Sequence, residues 1–234
     1  MSCIIEKITH QNAYELREAR LDFAKITKKP LIERPFYYRN TENNEEYYDL
    51  YGCVGWPTEV SDKDDGRPGY IAIVAAVKDD RPVEEPIFRL LTEAESRNIP
   101  TMLIYMLAFR KKYGFGAHPT LLQSWYGDPD RFIATLARFN EKHKGKELML
   151  SPPVDFYNPK RFDDYARSMQ STISKDTPVR FKFSGLDILK NRLREFKRDD
   201  PAVLAVGGLI HTLLLSCQWM ESQSDSMFPV EENV

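Results

Sequence analysis

The sequence predicts an α/β domain in which a mixed sheet of about five strands is flanked by helices on both faces. Two features of the residue pattern support this fold class. Three strand-like segments follow one another between residues 47 and 96, which is the order expected of an antiparallel meander. Segments with strand and helix patterns then alternate as far as residue 217, which is typical of parallel strands joined by crossover helices.

The chain is divided by its composition into three parts. Residues 1–46 are interpreted as an N-terminal helix and a linker arm, because residues 10–25 have helical spacing and residues 26–46 are polar and contain prolines. We expect the folded domain to span residues 47–219. Residues 220–234 are rich in Ser, Asp, Glu and Asn, which predicts a disordered acidic tail.

The first half of the domain contains the predicted meander. The segments YYDLYGCV (47–54) and GYIAIVAAVK (69–78) are aromatic or β-branched runs of strand length. The segment IFRLLTEAES (87–96) is interpreted as a third strand, with the start of a helix as the alternative. Residues 101–113 have apolar positions at helical spacing and three basic residues near their end, which predicts a helix.

The second half contains the predicted alternation. Its last helix is marked by Asp200 at the N-cap and Pro201 in the first turn. The preceding segments are predicted as a strand (120–126), a helix (130–144), a strand (147–153), a helix (159–173), a strand (179–183) and a helix (186–196).

Composition excludes several classes of protein. Hydrophobic residues make up 42% of the 234 residues, which is too many for a disordered chain, and a net charge of −2 is unlike a dedicated non-specific nucleic-acid binder. Three distant cysteines form neither a disulfide framework nor a zinc motif. The longest apolar run is shorter than the ~20 residues of a membrane span. We therefore expect a cytoplasmic protein with no membrane contact.

The carboxylates that follow predicted strands or begin helices are the candidate catalytic residues. Asp128 follows an inner strand, Glu93 and Glu95 lie on the third strand or just past it, and Asp199 and Asp200 precede the last helix. An N-cap role would by itself explain Asp200. If these carboxylates meet at one edge of the sheet, their oxygens suit Mg²⁺ or Mn²⁺. Two such ions would activate water for phosphodiester cleavage.

Two segments give the chain a resemblance to a known family. The element order, the stretch LREFKRDDPAVLAVGGLIHTLLL and the stretch SWYGDPDRFIATLARFN resemble the ribonuclease-H-like nuclease domain of phage terminase large subunits. The resemblance covers residues 47–217 and includes no ATPase half. It implies that Asp128 is the middle metal ligand, that Asp199 or Asp200 is the late one, and that Glu93 is an auxiliary acid.

The first strand departs from the family pattern. The family has an Asp at the end of this strand, where this chain has Val54, Gly55 and Trp56. Asp49 lies earlier on the same strand and is the candidate replacement metal ligand. Loss of a first-strand ligand would weaken metal binding, because the remaining carboxylates would repel one another.

Clusters of basic residues could contact the phosphates of double-stranded DNA. The alternative for the later cluster is the solvated face of an amphipathic helix. The candidate nucleic-acid-binding residues are Arg110, Lys111, Lys112, Lys190, Arg194 and Arg198.

The sequence therefore supports two main hypotheses. The first is a phage DNA-packaging nuclease, which would work with packaging proteins in the host cytoplasm and use Mg²⁺ or Mn²⁺. The second is a catalytically inactive subunit of the same fold, which binds DNA, a partner protein or a second copy of itself. An acetyltransferase-type enzyme is disfavoured, because no pyrophosphate-binding Gly/Arg loop follows residues 69–78.

Overall fold

The computed structural model is a mixed α/β sheet with helices on both faces. This confirms the predicted α/β class and mixed sheet, although the described residues form seven strands where about five were expected. The structure describes residues 4–9, 36–58, 66–78, 87–113, 123–124, 129–148, 159–174, 180–183 and 185–211.

The sheet combines an antiparallel meander with two parallel additions. Its strands are β1 (Ile5–Thr9), β2 (Phe36–Asn40), β3 (Glu46–Gly55), β4 (Gly69–Val77), β5 (Ile87–Ser96), β6 (Gln123–Ser124) and β7 (Arg180–Lys182). The hydrogen-bonded order is β1-β2-β3-β4-β5-β7, and β6 pairs with the C-terminal end of β3. Strands β1 to β5 pair with one another in antiparallel fashion. Strand β6 is parallel to β3, and β7 is parallel to β5. The third predicted segment is therefore a strand rather than the start of a helix.

Strand β4 lies at the centre of the core, because all nine of its residues are buried. Tyr70 and Ala72 belong to the hydrophobic cluster on one face, whereas Ile71 and Ile73 belong to the cluster on the other. This alternation follows from the two-residue period of a strand. Burial of both faces explains why the segment is continuously apolar.

In the described residues, five helices cover the two faces. They are α1 (Ile99–Tyr113), α2 (Pro129–Lys142), α3 (Pro159–Ser174), α4 (Ile188–Glu195) and α5 (201–211). Helices α3, α4 and α5 pack on the face that includes Tyr70, which we call the α5 face. Helices α1 and α2 pack on the opposite face, which we call the α1 face.

Helix α5 is packed unusually close to its neighbours. A Cβ atom on Gly55 would lie 2.1 Å from the carbonyl oxygen of Pro201, and one on Gly207 would lie 2.2 Å from the carbonyl oxygen of Tyr165. The carboxylate of Asp200 accepts a hydrogen bond of 2.9 Å from the backbone N–H of Ala202. The predicted N-cap role of Asp200 is therefore confirmed, and glycines allow the helix to approach both β3 and α3.

Part of the predicted linker arm over residues 26–46 is wrong, because residues 36–40 form β2 between β1 and β3. The polar run TENNEE contains the turn of this hairpin. Asn44 has a φ of 57°, and the side chain of Asn40 accepts a hydrogen bond from the N–H of Glu42. Asn residues tolerate such left-handed turn geometry, so the polar run marks a reversal of the chain rather than a linker.

Other sequence predictions concern residues outside the described ranges. These are the helix over residues 10–25, the strand over residues 149–153 of the 147–153 segment, the acidic tail over residues 220–234, and the position of Asp128. Among the helices that the structure describes, none is long and apolar enough to cross a membrane.

Candidate carboxylate and arginine cluster

A group of charged side chains lies on the α5 face at the C-terminal end of β3. The strand register places Gly55 opposite Tyr70 and Tyr70 opposite Glu95, and it places Ala72 opposite Glu93. A register shift in β5 leaves Leu91 without a partner in β4, because Ile73 pairs with Thr92 and Val74 pairs with Leu90. Such a bulge reverses the direction of the following side chains. It therefore turns both glutamates towards α4 and α5.

Glu93 holds the N-terminus of α4. Its carboxylate accepts hydrogen bonds from the backbone N–H groups of Ile188 at 2.7 Å and Leu189 at 2.9 Å. It also accepts one from the hydroxyl of Tyr70 at 2.9 Å. The N-cap residue of the helix, Asp187, makes no side-chain capping bond. Glu93 therefore satisfies helix donors that would otherwise lack a partner, and its charge suits the positive end of the helix dipole.

Tyr70 is held as a neutral donor in this arrangement. Burial, followed by the proximity of Cys53 and Glu93, raises the pKa of Tyr70 well above its ordinary value. The phenol therefore keeps its proton at physiological pH and donates a hydrogen bond to the Glu93 carboxylate. This contact anchors the glutamate to β4 as well as to α4.

Arg192 of α4 bridges two other carboxylates. Its guanidinium donates to Glu95 at 2.8 Å and to Asp200 at 3.1 Å. Burial lowers the pKa of Arg192, but the hydrogen bond to Glu95 and the charges of Asp200 and Glu95 outweigh that effect and raise it. The Asp200 side chain is only 5% exposed, so this ion pair is largely removed from water. The arginine thus joins β5, α4 and the start of α5.

Asp199 has a different environment from Asp200. It is paired with Arg67, which lies in the segment before β4, and its side chain is 52% exposed. An exposed ion pair of this kind contributes little to stability. Asp199 is therefore the cluster member with the most freedom to contact solvent or another molecule.

At the end of β3, where terminase nuclease domains have an acid, the backbone of Pro201 occupies the space that a side chain would need. Gly55 lies under Pro201, so any side chain at this position would displace the start of α5. Cys53, two residues earlier on the same face, is fully buried, and burial raises its pKa to about 12. Neither position supplies a charged oxygen ligand.

The proposed metal ligands are not brought together by the described structure. Asp49 is six residues before Gly55 on β3, which places it about 20 Å from the cluster at the rise of a strand. Its carboxylate instead accepts a hydrogen bond from the N–H of Leu50 at 2.9 Å. A single metal site containing Asp49 and Asp199 is therefore ruled out by this distance. Asp128 lies outside the described residues, so its predicted role stays a prediction.

The remaining carboxylates do not fit a divalent ion. Glu93 is engaged by a helix N-terminus, and Arg192 occupies the space between Glu95 and Asp200. In the part of the chain that the structure describes, no group of three or more His, Cys, Asp or Glu side chains could hold a metal ion. What the arrangement can do is fix helices to the sheet by charge.

The candidate DNA-binding residues do not form one surface. Arg110, Lys111 and Lys112 end α1, whereas Lys190 and Arg194 lie on α4, and these helices cover opposite faces of the sheet. Arg110 donates a hydrogen bond to the carbonyl oxygen of Glu147.

Arg198 is neutralised by an ion pair with Asp163. Arg192 likewise pairs with Glu95 and Asp200, so some basic residues of the 190–198 segment form ion pairs within the protein.

Two residues of the cluster, Arg67 and Tyr70, are absent from the sequence-based set of candidate residues, and Arg192 enters it only as one of the basic residues of the 190–198 segment. Arg192 and Asp200 are only eight residues apart, so a short connection between two helices could have indicated their contact. Nothing in the sequence pairs Arg67 with Asp199, which are 132 residues apart.

Comparison with known proteins adds no family to this description. No family model matches the chain, and no curated protein is significantly similar to it in sequence.

Proposed function

We propose that this chain is a catalytically inactive protein of the ribonuclease-H-like class that acts as an interaction subunit. The observation that carries the proposal is the guanidinium of Arg192 between Glu95 and Asp200, where a metal-dependent nuclease would need a cation. The positive charge of the arginine offsets part of their negative charge and occupies one oxygen of each carboxylate, which disfavours an ion between them.

The chain order supports the fold part of this proposal. Three antiparallel strands, a helix, a strand parallel to the first of them and a further helix follow one another from β3 to α2. This is the order that the resemblance to terminase nuclease domains implies. The acid pair at residues 199–200 also precedes a small-residue helix, as in that resemblance, and the helix begins against β3.

Gly55 supports the inactive state independently of Arg192. A first-strand aspartate at this position would need the space now held by the backbone of Pro201. Gly55, which has no side chain to bind a metal, and Arg192, which bridges two carboxylates, thus independently favour a structural role for the cluster. Partners of an inactive subunit would be packaging proteins, double-stranded DNA or a second copy of the chain, as the sequence predicts.

A nicking assay on supercoiled plasmid with Mn²⁺ tests the proposal. We expect the wild-type protein to produce no more nicked plasmid than buffer, and light scattering of the same sample to show a stable oligomer. Asp128→Asn and Asp199→Asn are the test variants. Asp164→Asn is the matched control, because Asp164 pairs with Arg167 on the surface of α3 away from the cluster.

The metal-dependent nuclease stays the competing prediction and is tested by the same assay. Nicking by the wild type that is lost in Asp128→Asn but kept in Asp164→Asn would overturn the inactive assignment. A monomer that binds Mn²⁺ tightly would also contradict it.

A further inference from the structure

An apolar groove lies between α3, α4 and the β7 region, away from the carboxylate cluster. Its volume is 320 Å³, which is within the range of ligand-binding pockets. Met169 and Ile173 form one wall and Leu193 forms another. Phe181 and Phe183 also line the groove, with their ring centroids 5.3 Å apart.

The groove exposes apolar surface and carries positive charge. Ile173, which lines the groove, is 47% exposed. Lys190 and Arg194, one helical turn apart on exposed positions of α4, line the same groove. None of the described residues that line it is acidic. The groove therefore suits an apolar ligand that also carries negative charge.

The last described residues of helix α5 lie against α3, close to this groove. Gly207 lies against Tyr165 and Met169 of α3, and His211 Nδ1 lies 3.1 Å from Ser168 Oγ. The groove is lined by Met169 and by residues 172–173, about one turn of α3, or about 5 Å, beyond Ser168. The chain that follows residue 211 thus starts beside the groove.

The segment that follows has matching chemistry. Residues 221–234 read ESQSDSMFPVEENV, with four carboxylates and no Lys or Arg around the apolar group Met227, Phe228 and Val230. A stretch of 16 residues from 211 to 227 can reach about 50 Å when extended, far more than the groove requires. Pro229 restricts the backbone of this apolar group and lowers the entropy lost on binding.

We propose that residues 225–232 of this chain bind in the groove, with Phe228 among the apolar side chains and the flanking acids beside Lys190 and Arg194. The bound segment would cover the exposed face of Ile173 and compete with any other acidic apolar peptide. This docking is independent of the proposed function, because the groove shares no residue with the carboxylate cluster.

Photo-crosslinking in the full-length chain tests the docking. The protein carries benzoylphenylalanine in place of Phe228 and is examined alone, with Ile173→Asp, and with Ile104→Asp. Ile104 is the matched control, because it is an exposed isoleucine on a helix of the α1 face. We expect crosslinks to Met169, Ile173 or Leu193 within one molecule, reduced at least tenfold by Ile173→Asp and unchanged by Ile104→Asp.

Mixing isotope-labelled and unlabelled chains separates contacts within a molecule from contacts between molecules. Crosslinks that join labelled to unlabelled chains, or that keep their yield in Ile173→Asp, would overturn the proposal. A yield that falls equally in both aspartate variants would also overturn it.

A labelled peptide of residues 221–234 gives a second measurement. Added to the full-length chain, it should bind Phe228→Asp at least tenfold more tightly than wild type, because the tethered segment has a high effective concentration in the wild type. Equal binding to both proteins would contradict the docking. Binding to Phe228→Asp should be lost when Ile173→Asp is added.

Discussion

The two ends of β3 carry two charged clusters with different construction. The N-terminal end has the hairpin cluster, in which Glu46 pairs with Arg39 and Lys78 at 2.8 Å and Glu45 pairs with Arg89 at 2.7 Å. These residues come from the strands β2 and β5 and from the edges of β3 and β4. The two pairs of Glu46 join neighbouring strands, whereas the Glu45–Arg89 pair reaches from β3 to β5 across β4.

The C-terminal end has the helix cluster, formed by Arg67, Glu93, Glu95, Arg192, Asp199 and Asp200. Its contacts join residues separated by 95 to 132 positions, apart from the eight-residue step between Arg192 and Asp200 and the 23-residue step between Tyr70 and Glu93. It fastens α4 and the start of α5 to the sheet. Carboxylates collected at a strand end can therefore anchor helices rather than form a metal site.

The largest effect is expected where α5 meets β3. Gly55→Ala should lower the free energy of unfolding by about 3 kcal/mol or more, because its Cβ would overlap the Pro201 carbonyl. Chemical denaturation measures this change. Gly145→Ala is the control and should cost about 1 kcal/mol, because Gly145 has open space but a φ of 80°. An equal, small loss in both variants would show that α5 can shift away from β3.

Loss of the Glu93 carboxylate should be the next largest effect. Glu93→Ala leaves two helix N–H groups and the buried Tyr70 hydroxyl without their acceptor, so we expect a loss of about 2–3 kcal/mol. Glu95→Ala should cost about 1 kcal/mol or less, because the Glu95 side chain is 42% exposed. Thermal and urea unfolding of the two variants compare them directly. Equal losses would contradict the anchoring role of Glu93.

The sequence contains most of the sheet but not the side-chain directions at this point. The apolar run from Gly69 to Val77 predicts a strand buried on both faces, and β4 has this form. The bulge at Leu91 cannot be read from IFRLLTEAES, because it depends on the partner strand. Without the bulge, Glu93 and Glu95 would point towards the α1 face. The two-residue period of a strand therefore does not predict which side chains form the cluster.

The sequence predicts the carboxylates of the cluster better than it predicts their partners. Asp200 precedes Pro201 and a helical pattern, and this local signal correctly predicts its capping role. Arg192 has the same helical context as its basic neighbours, so its sequence gives no sign that it faces Glu95. Long-range ion pairs of this kind are decided by how helices pack on the sheet, which lies beyond local pattern.

The hairpin cluster should respond to acid. Burial raises the pKa of Glu46, but hydrogen bonds from Lys78 and Arg39 outweigh it and lower the pKa below its ordinary value. Its stabilisation is therefore complete above the unfolded-state pKa of about 4.3 and is lost as the pH falls through the lower folded-state pKa.

Glu46→Gln should consequently cost about 1 kcal/mol at pH 7 and progressively less below about pH 4. Urea unfolding of both proteins at a series of pH values measures the difference. Glu42→Gln at the exposed hairpin turn is the control and should leave the free energy of unfolding unchanged across the series. A difference that grows as the pH falls would contradict the assigned direction of the pKa shift.

The smallest effect is expected for Asp199→Asn in the helix cluster. Its ion pair with Arg67 is half exposed on the aspartate side, so we expect a loss of about 0.5 kcal/mol or less. Added salt should reduce even this difference, since exposed charges are screened. A loss above about 2 kcal/mol in urea unfolding would show that Asp199 is as structural as Glu93.

Calorimetric titration of Mn²⁺ into wild-type protein and into Arg192→Met tests the central claim most directly. We expect no binding heat at millimolar Mn²⁺ for the wild type, because the Arg192 guanidinium already occupies the space between Glu95 and Asp200. Arg192→Met removes this charge with little change in side-chain length, so weak Mn²⁺ binding should emerge. Tight Mn²⁺ binding by the wild type that is lost in Asp200→Asn would contradict the account.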